Sequence, residues 1–393
     1  MKNCNIYYGE YTLDAWINMI LNRSLELPPY QRNFVWTEGK VRNLLKSLEK
    51  GEFVPPVTLG TYLDENEQPH HYVLDGQQRL SALLLGKLNI FPKGNKFREK
   101  LETLADNNDD KAEENIKEEK SNVYAWKFKC IQDNGIEKTT QDEENYKKLD
   151  LAYDDKFWKE HCIGFSYIKP YPEQSKEEQK KYYSTLFRNI NNSSVSLSDM
   201  ECRASLYWLD SKWVDFFKPK GLLGQLKINN SLLDFARIAA ILAQYKKTNN
   251  VNCIASGYSS RSGKSFEDFI EDFIYETVGE KENDIFINLN ELFPNKETDY
   301  SILFNKIDSM YKQLDFPKEF ETIIFSDLTL LGLVYNVIFE NKDIDISKKD
   351  EISNKIKEKF NSVDAAHKKS PAAMTWLRKR LEASLSIYKD YLV

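Results

Sequence analysis

Tyr72-Val73-Leu74-Asp75-Gly76-Gln77-Gln78-Arg79-Leu80 decides how this chain folds. A short apolar run ends at Asp-Gly and passes straight into Gln-Gln-Arg. Leu80, Leu83, Leu84, Leu85 and Leu88 then recur at helical spacing. The stretch reads as strand, tight turn and helix N-terminus. Such a turn gathers backbone N–H groups and the positive end of the helix dipole at one spot, which suits a phosphate or phosphodiester. Gly76 can adopt a positive φ and lets a ligand approach the backbone. Gln77 and Gln78 offer side-chain donors, and Arg79 offers a planar fork for phosphate oxygens. Asp75 is a carboxylate that can position water, hold a ribose hydroxyl or meet a metal through phosphate. The plain alternative is an ordinary turn, with Asp75 capping the helix and Arg79 in a surface ion pair.

Working outward, the first hundred residues read as a compact α/β module. Thr12 caps a helix over 13–21. Leu25-Glu26-Leu27 is a short strand stopped by Pro28-Pro29. Thr37 begins a second helix with Val41, Leu44, Leu45 and Leu48 on one face, ended by Lys50-Gly51. Residues 57–63 form a strand, 64–69 a polar hairpin loop, and 71–74 the returning strand that delivers the turn. Residues 94–120 change character, and the charged run Asp106 to Glu114 reads as a solvated insertion. Strands are expected over Val123 to Ile131 and Cys162 to Ile168. From about 176 the pattern turns helical, with helices over 177–190, 232–245, 266–278, 297–315, 317–341, 345–360 and 371–390. Ser198-Asp199-Met200-Glu201 has capping-box spacing. The fold class is therefore α+β: an α/β module in residues 1–205, with a charged insertion near 94–120, followed by a mainly α-helical domain in 206–393.

The 393 residues suffice for two or three domains, and 41% apolar content supports a sizeable core. A net charge of −6 argues against a surface coated for nucleic acid while leaving room for a local basic cleft. No apolar run approaches the ~20 residues that span a bilayer, and Met1 to Asn5 has no signal-peptide core. A soluble cytoplasmic protein is expected. Cys4, Cys130, Cys162, Cys202 and Cys253 form no paired spacing. His70, His71, His161 and His367 also lack metal-ligand spacing, so no metal ligands are assigned.

Two further constellations accompany the turn. Leu27 to Trp36 is aromatic for a loop and carries Tyr30-Gln31-Arg32. Arg32 is a second candidate phosphate clamp, and Tyr30 and Trp36 could stack on a base or brace the loop. Phe187-Arg188-Asn189-Ile190-Asn191 sets Arg188 and Asn191 three apart on one helical face, where C-capping is the plain alternative. Gly263-Lys264-Ser265 lacks the upstream glycine of a P-loop.

These constellations, in this order, resemble the GmrSD-type restriction endonuclease N-terminal domain family, which is ParB- and sulfiredoxin-like in fold. The resemblance covers roughly residues 10–205. It rests on Tyr30-Gln31-Arg32 with Trp36, Pro55-Pro56, Asp75 to Arg79, Phe187 to Asn191, and Leu197 to Glu201. It implies a nucleotide- or DNA-phosphate-binding pocket in a modification-dependent restriction or other anti-phage defence system. Asp75, Gln78 and Arg79 would be catalytic. Tyr30, Gln31, Arg32, Gly76, Gln77, Arg188 and Asn191 would bind phosphate or nucleotide. A nucleoside triphosphate would serve as substrate or effector, with Mg²⁺ entering with its phosphates. Expected partners are DNA, including modified phage DNA, a separate HNH nuclease subunit and a second copy of the chain. The chain departs from the family pattern at Pro29 and Asn33, which replace an acidic residue and a proline. It also has no HNH motif, since His367 is followed by Lys368-Lys369-Ser370. Hydrolysis of nucleotide or DNA is one reading. A sensor of nucleotide or modified DNA that recruits a nuclease is the other. A ParB-like partition role would want a basic helix-turn-helix that is not evident.

Overall fold

In a computed structural model, the described residues are 4–28, 30–31, 33–63, 69–93, 98–100, 122–124, 126–170, 176–191, 203–229, 231–258, 264–280 and 284–393. The protein is α+β and divides into two compact units, with the boundary at Ser205/Leu206. Each is described by itself.

The first unit is built on β1 (Cys4–Thr12), α1 (Leu13–Leu21), β2 (Leu25–Glu26), α2 (Glu38–Glu49), β3 (Val57–Leu63), β4 (Pro69–Asp75), α3 (Gln77–Leu88), β5 (Cys162–Pro170) and α4 (Lys176–Asn191). The strands form one sheet in the order β1-β5-β3-β4-β2. β1–β5 and β3–β4 pair antiparallel, whereas β5–β3 and β4–β2 pair parallel.

One sheet face carries the main core. Thr12 caps α1 by accepting from the Ala15 N–H at 3.1 Å, and Thr37 caps α2 in the same way. Trp16, Ile17 and Ile20 of α1, Val41 and Leu45 of α2, and Leu80, Leu83 and Leu84 of α3 pack there on Val57, Leu59 and Val73. Each such side chain contributes about 1.5–3 kcal/mol by leaving water. Across the sheet, Tyr183 of α4 joins Leu74 and Ile168. Its ring lies on Gly60, where a β-carbon would come within 2.4 Å of it. Its hydroxyl donates to Thr61 O at 2.6 Å. The sheet is thus held between α1–α3 and α4.

Two sequence expectations are corrected in this unit. Val123 to Ile131 is not one strand: Asn122–Tyr124 is a strand, and Lys129–Asn134 is a helix closed by Gly135 at φ 81°. Phe128 and Ile131, three apart, both turn into the core. β1 was not anticipated. Of the expected hairpin loop 64–69, Pro69 already belongs to β4; its residues 64–68, the charged run 106–114 and the Ser198 to Glu201 capping box lie outside the described residues.

The second unit is helical: α5 (Phe235–Thr248), α6 (Phe266–Thr277), α7 (Glu297–Gln313), α8 (Ile323–Val334), α9 (Lys349–Asn361) and α10 (Met374–Lys389). The expected helix over 317–341 begins only at Ile323. Thr322 caps it there, and Glu319–Phe320 joins a small sheet. Gly332 lets α8 and α10 touch, since a β-carbon there would lie 2.5 Å from Ser384 O. Inside the unit, buried Asp327 accepts from Arg237 (2.8 and 3.0 Å) and from Arg380 Nε at 2.8 Å. Burial works to raise the Asp327 pKa, but the two guanidiniums prevail and hold it below the ordinary carboxylate value. Among the described residues, no helix is long and apolar enough to cross a membrane.

Candidate functional site

β4 ends where its pairing with β3 shifts. Leu59 faces Val73, but Thr58 faces Asp75, so Leu74 is the extra residue of a bulge. A bulge re-aims the residue that follows it. Here it sets Asp75 beside Thr58 at the mouth of the turn. Gly76 follows at φ 95°, in the left-handed region. A β-carbon there would meet Val57 Cγ2 at 2.9 Å and Arg79 Nη2 at 3.1 Å. Only glycine satisfies both the conformation and the space. α3 then starts at Gln77 without a side-chain cap, so its N-terminal N–H groups open toward the turn.

Asp75 and Arg79 meet directly. Arg79 Nη2 donates to Asp75 Oδ2 at 2.8 Å and to the Pro56 carbonyl at 3.2 Å. Both bonds run from Nη2, and the buried Nε of Arg79 has no hydrogen-bond partner among the described residues. The two side chains remain 14% (Arg79) and 31% (Asp75) exposed, so a ligand can reach them. Asp75 does not cap α3. The alternative of a capping aspartate with a surface ion pair therefore holds only in its second half.

The glutamines do something the sequence reading did not anticipate. Gln78 is buried, accepts from the Val35 N–H at 2.9 Å and donates to Asn33 O at 3.0 Å. Both ends of its amide hold the 33–35 segment, so in this structure it positions the loop rather than offering a donor to a ligand. Gln31 is also buried and donates to Val73 O at 2.8 Å and to Leu74 O at 3.3 Å. β2 pairs with β4 only at His71 and Tyr72. Gln31 thus serves the carbonyls beyond the end of that short strand, where an unmet buried carbonyl would cost about 1–3 kcal/mol. Gln77 is buried at the first turn of α3. Tyr30 is buried with its ring 4.9 Å from Phe187, so it ties the loop to α4 and presents no open stacking face. Burial drives its phenol pKa well up. Trp36 is half-buried against the core.

Arg32 lies outside the described residues. Arg188 and Asn191 are on α4, with their side chains outside the description. Leu186 and Ile190 pack against the cluster of Leu74, Ile168 and Tyr183, so α4 covers the sheet face that carries the residue before Asp75. Thr58 and Ser166, hydroxyl to hydroxyl at 3.0 Å, continue sideways from Asp75. Sequence reasoning missed them because only the register of β3 and β5 joins them. Among the described residues, no group of three or more His, Cys, Asp or Glu side chains could hold a metal ion.

The fold and this turn define an α/β module with an Arg–Asp pair set at a helix N-terminus. Residues 14–208 match the model of the GmrSD restriction endonuclease N-terminal domain, and the chain belongs to that family through this domain. It is accordingly a component of a restriction endonuclease system, whose object is DNA. No curated protein and no solved structure matches the chain.

Proposed function

We propose that the Asp75–Arg79 turn binds the terminal phosphates of a nucleoside triphosphate and hydrolyses it, within an anti-phage restriction system. The observation that carries this reading is the arrangement of Arg79 beside Asp75 at the start of α3, which has no side-chain cap, with the guanidinium bonded through Nη2 among the described residues. The first N–H groups of α3 and the remaining guanidinium edge would take the phosphate oxygens and stabilise charge that grows in the transition state. Asp75 would orient the attacking water. Water oxygen bonds to the terminal phosphorus, the bridging P–O bond breaks, and the water proton passes to Asp75 or solvent. Among the described residues Asp75 is the carboxylate at the turn, which suits an Mg²⁺ ion held by substrate phosphates and a single acidic group. When bound, that ion supplies charge neutralisation. Gly76 keeps the approach open, and Gln31 and Gln78 hold the loop behind it. The family resemblance would add Arg32, Arg188 and Asn191 as further phosphate-binding residues.

The second reading is a nucleotide or modified-DNA sensor that recruits a separate HNH nuclease. It is favoured by the ion pair itself, because a carboxylate already tied to Arg79 is better placed to orient a ligand than to take a proton.

The test is phosphate release from the purified protein with each of four nucleoside triphosphates and Mg²⁺, with and without DNA. Arg79→Ala and Asp75→Ala are run alongside. Release that vanishes in both variants is expected. Release that persists in Asp75→Ala refutes the hydrolytic role of the turn. Binding without release supports the sensor.

A further inference from the structure

The register of the sheet sets a lateral row of side chains beside the turn. Asp75 pairs with Thr58, Thr58 with Ser166, and Ser166 with Tyr8. Laterally paired residues share a sheet face. The opposite face, through Val57, Leu59 and Phe165, is sealed by α1–α3. On the row's own face, Tyr183 of α4 covers the neighbouring row at Gly60, whereas Thr58 and Ser166 remain only half-buried. At the far end, Tyr8 on edge strand β1 is 77% exposed. Three interstrand spacings separate Asp75 from Tyr8, roughly 14 Å.

Chemistry changes along this row. The turn offers a guanidinium and a helix N-terminus, followed by two hydroxyls and then an uncommitted aromatic ring. Tyr8, Ser166 and Thr58 carry no formal positive charge. A polynucleotide would want positive charge repeated along its path. A single nucleotide wants charge at one end, polar neutral groups in the middle and a stacking surface at the other.

We propose that Thr58, Ser166 and Tyr8 form the nucleoside-binding floor of this site, with the phosphates at the turn, the sugar over the Thr58–Ser166 hydroxyls and the base against Tyr8. This rests on the phosphate reading of the Asp75–Arg79 turn and adds what lies beyond the phosphates. It makes Tyr8 and Ser166 determinants of affinity for the nucleoside part, with no share in binding phosphate alone.

Calorimetric titration of the full chain with a nucleoside triphosphate and with inorganic triphosphate separates the two readings. Tyr8→Ala is expected to weaken nucleoside triphosphate binding about tenfold, in line with loss of one stacked base. It should leave inorganic triphosphate unchanged, and Tyr8→Phe should keep the wild-type affinity. Ser166→Ala should act in the same direction as Tyr8→Ala. Arg79→Ala should weaken both ligands. If Tyr8→Ala and Ser166→Ala leave nucleoside triphosphate binding intact while Arg79→Ala weakens both probes, the floor is refuted and the phosphate site stands. If Arg79→Ala leaves both probes unaffected, the phosphate site is refuted. Equal loss of both probes in Tyr8→Ala also overturns the floor.

Discussion

Replacing Gly76 by alanine tests the turn at its most constrained point. At φ 95° the residue lies in the left-handed region, beyond its usual centre near 57°. A side chain there costs roughly 1–2 kcal/mol in backbone strain. The new β-carbon would also lie 2.9 Å from Val57 Cγ2 and 3.1 Å from Arg79 Nη2. Val57 belongs to the core and cannot simply swing away, so relief of the contact adds an overpacking cost of about 1–3 kcal/mol. The total is roughly 2–5 kcal/mol. Gly51→Ala is the matched control: its φ is 69°, yet nothing lies within 4 Å of an added β-carbon. It carries the backbone strain without the clash. The assay is hydrogen exchange on amides in the last two turns of α3, which reads local opening free energy separately from the helical unit. Gly76→Ala should accelerate their exchange well beyond Gly51→Ala, by a further factor of about five or more. Equal protection in the two variants would refute the argument that Val57 and Arg79 crowd this position. On the proposed function, because Arg79 Nη2 is one of the atoms crowded, weaker phosphate binding should accompany the loss of protection.

Three further outcomes are expected. Gln78→Leu leaves the Val35 N–H and Asn33 carbonyl without their partner; exchange at Asn33 to Val35 should quicken, and unchanged exchange there would deny Gln78 its loop-holding role. Asp327→Asn removes the charge between Arg237 and Arg380, and breaking a buried pair costs about 3–5 kcal/mol, so the helical unit should lose a large part of its stability in urea, whereas a midpoint shift near zero would contradict the pairing. His367 accepts from Arg380 Nη1 at 2.9 Å, and its pKa is lowered from 6.5 to about 4, first by burial and then by the Arg380 charge. The unfolded chain therefore binds more protons between those values, so stability is full above pH 6.5 and falls as pH drops toward about 4. His367→Gln should flatten that segment of the urea midpoint against pH, and an unchanged slope would place its origin elsewhere.

What was legible in the sequence was local. Thr12 and Thr37 announced α1 and α2 because a cap and a one-sided apolar stripe are both short-range signals. Asp75-Gly76 followed by Gln-Gln-Arg announced the turn for the same reason. β1 left no such trace: as an edge strand with Ile6, Tyr7 and Tyr8 all exposed, it has no buried face to impose alternation. Gln31 and Gln78 looked like ligand donors because an amide in a polar motif does not declare its partner. Their actual partners follow from two non-local facts, the shortness of β2 and the path of the 33–35 segment past α3. Thr58 and Ser166 stand 108 residues apart, and only strand register unites them.

These same facts bear on how the proposed site would work. Gly76, Gln31 and Gln78 are fixed by close packing or by hydrogen bonds of buried amides, so the backbone around the turn is set before any ligand arrives. The Asp75–Arg79 pair is different. It is partly exposed, so a ligand can compete for it. A phosphate that accepts two parallel bonds from a guanidinium makes a stronger contact than this single Nη2 bond. On the proposed function, phosphate binding would therefore draw Arg79 away from Asp75 and free the carboxylate for water. The ligand would then switch the charges of the turn without moving its scaffold. On that reading Gln78 serves the 33–35 segment, while Asp75 and Arg79 would supply the chemistry.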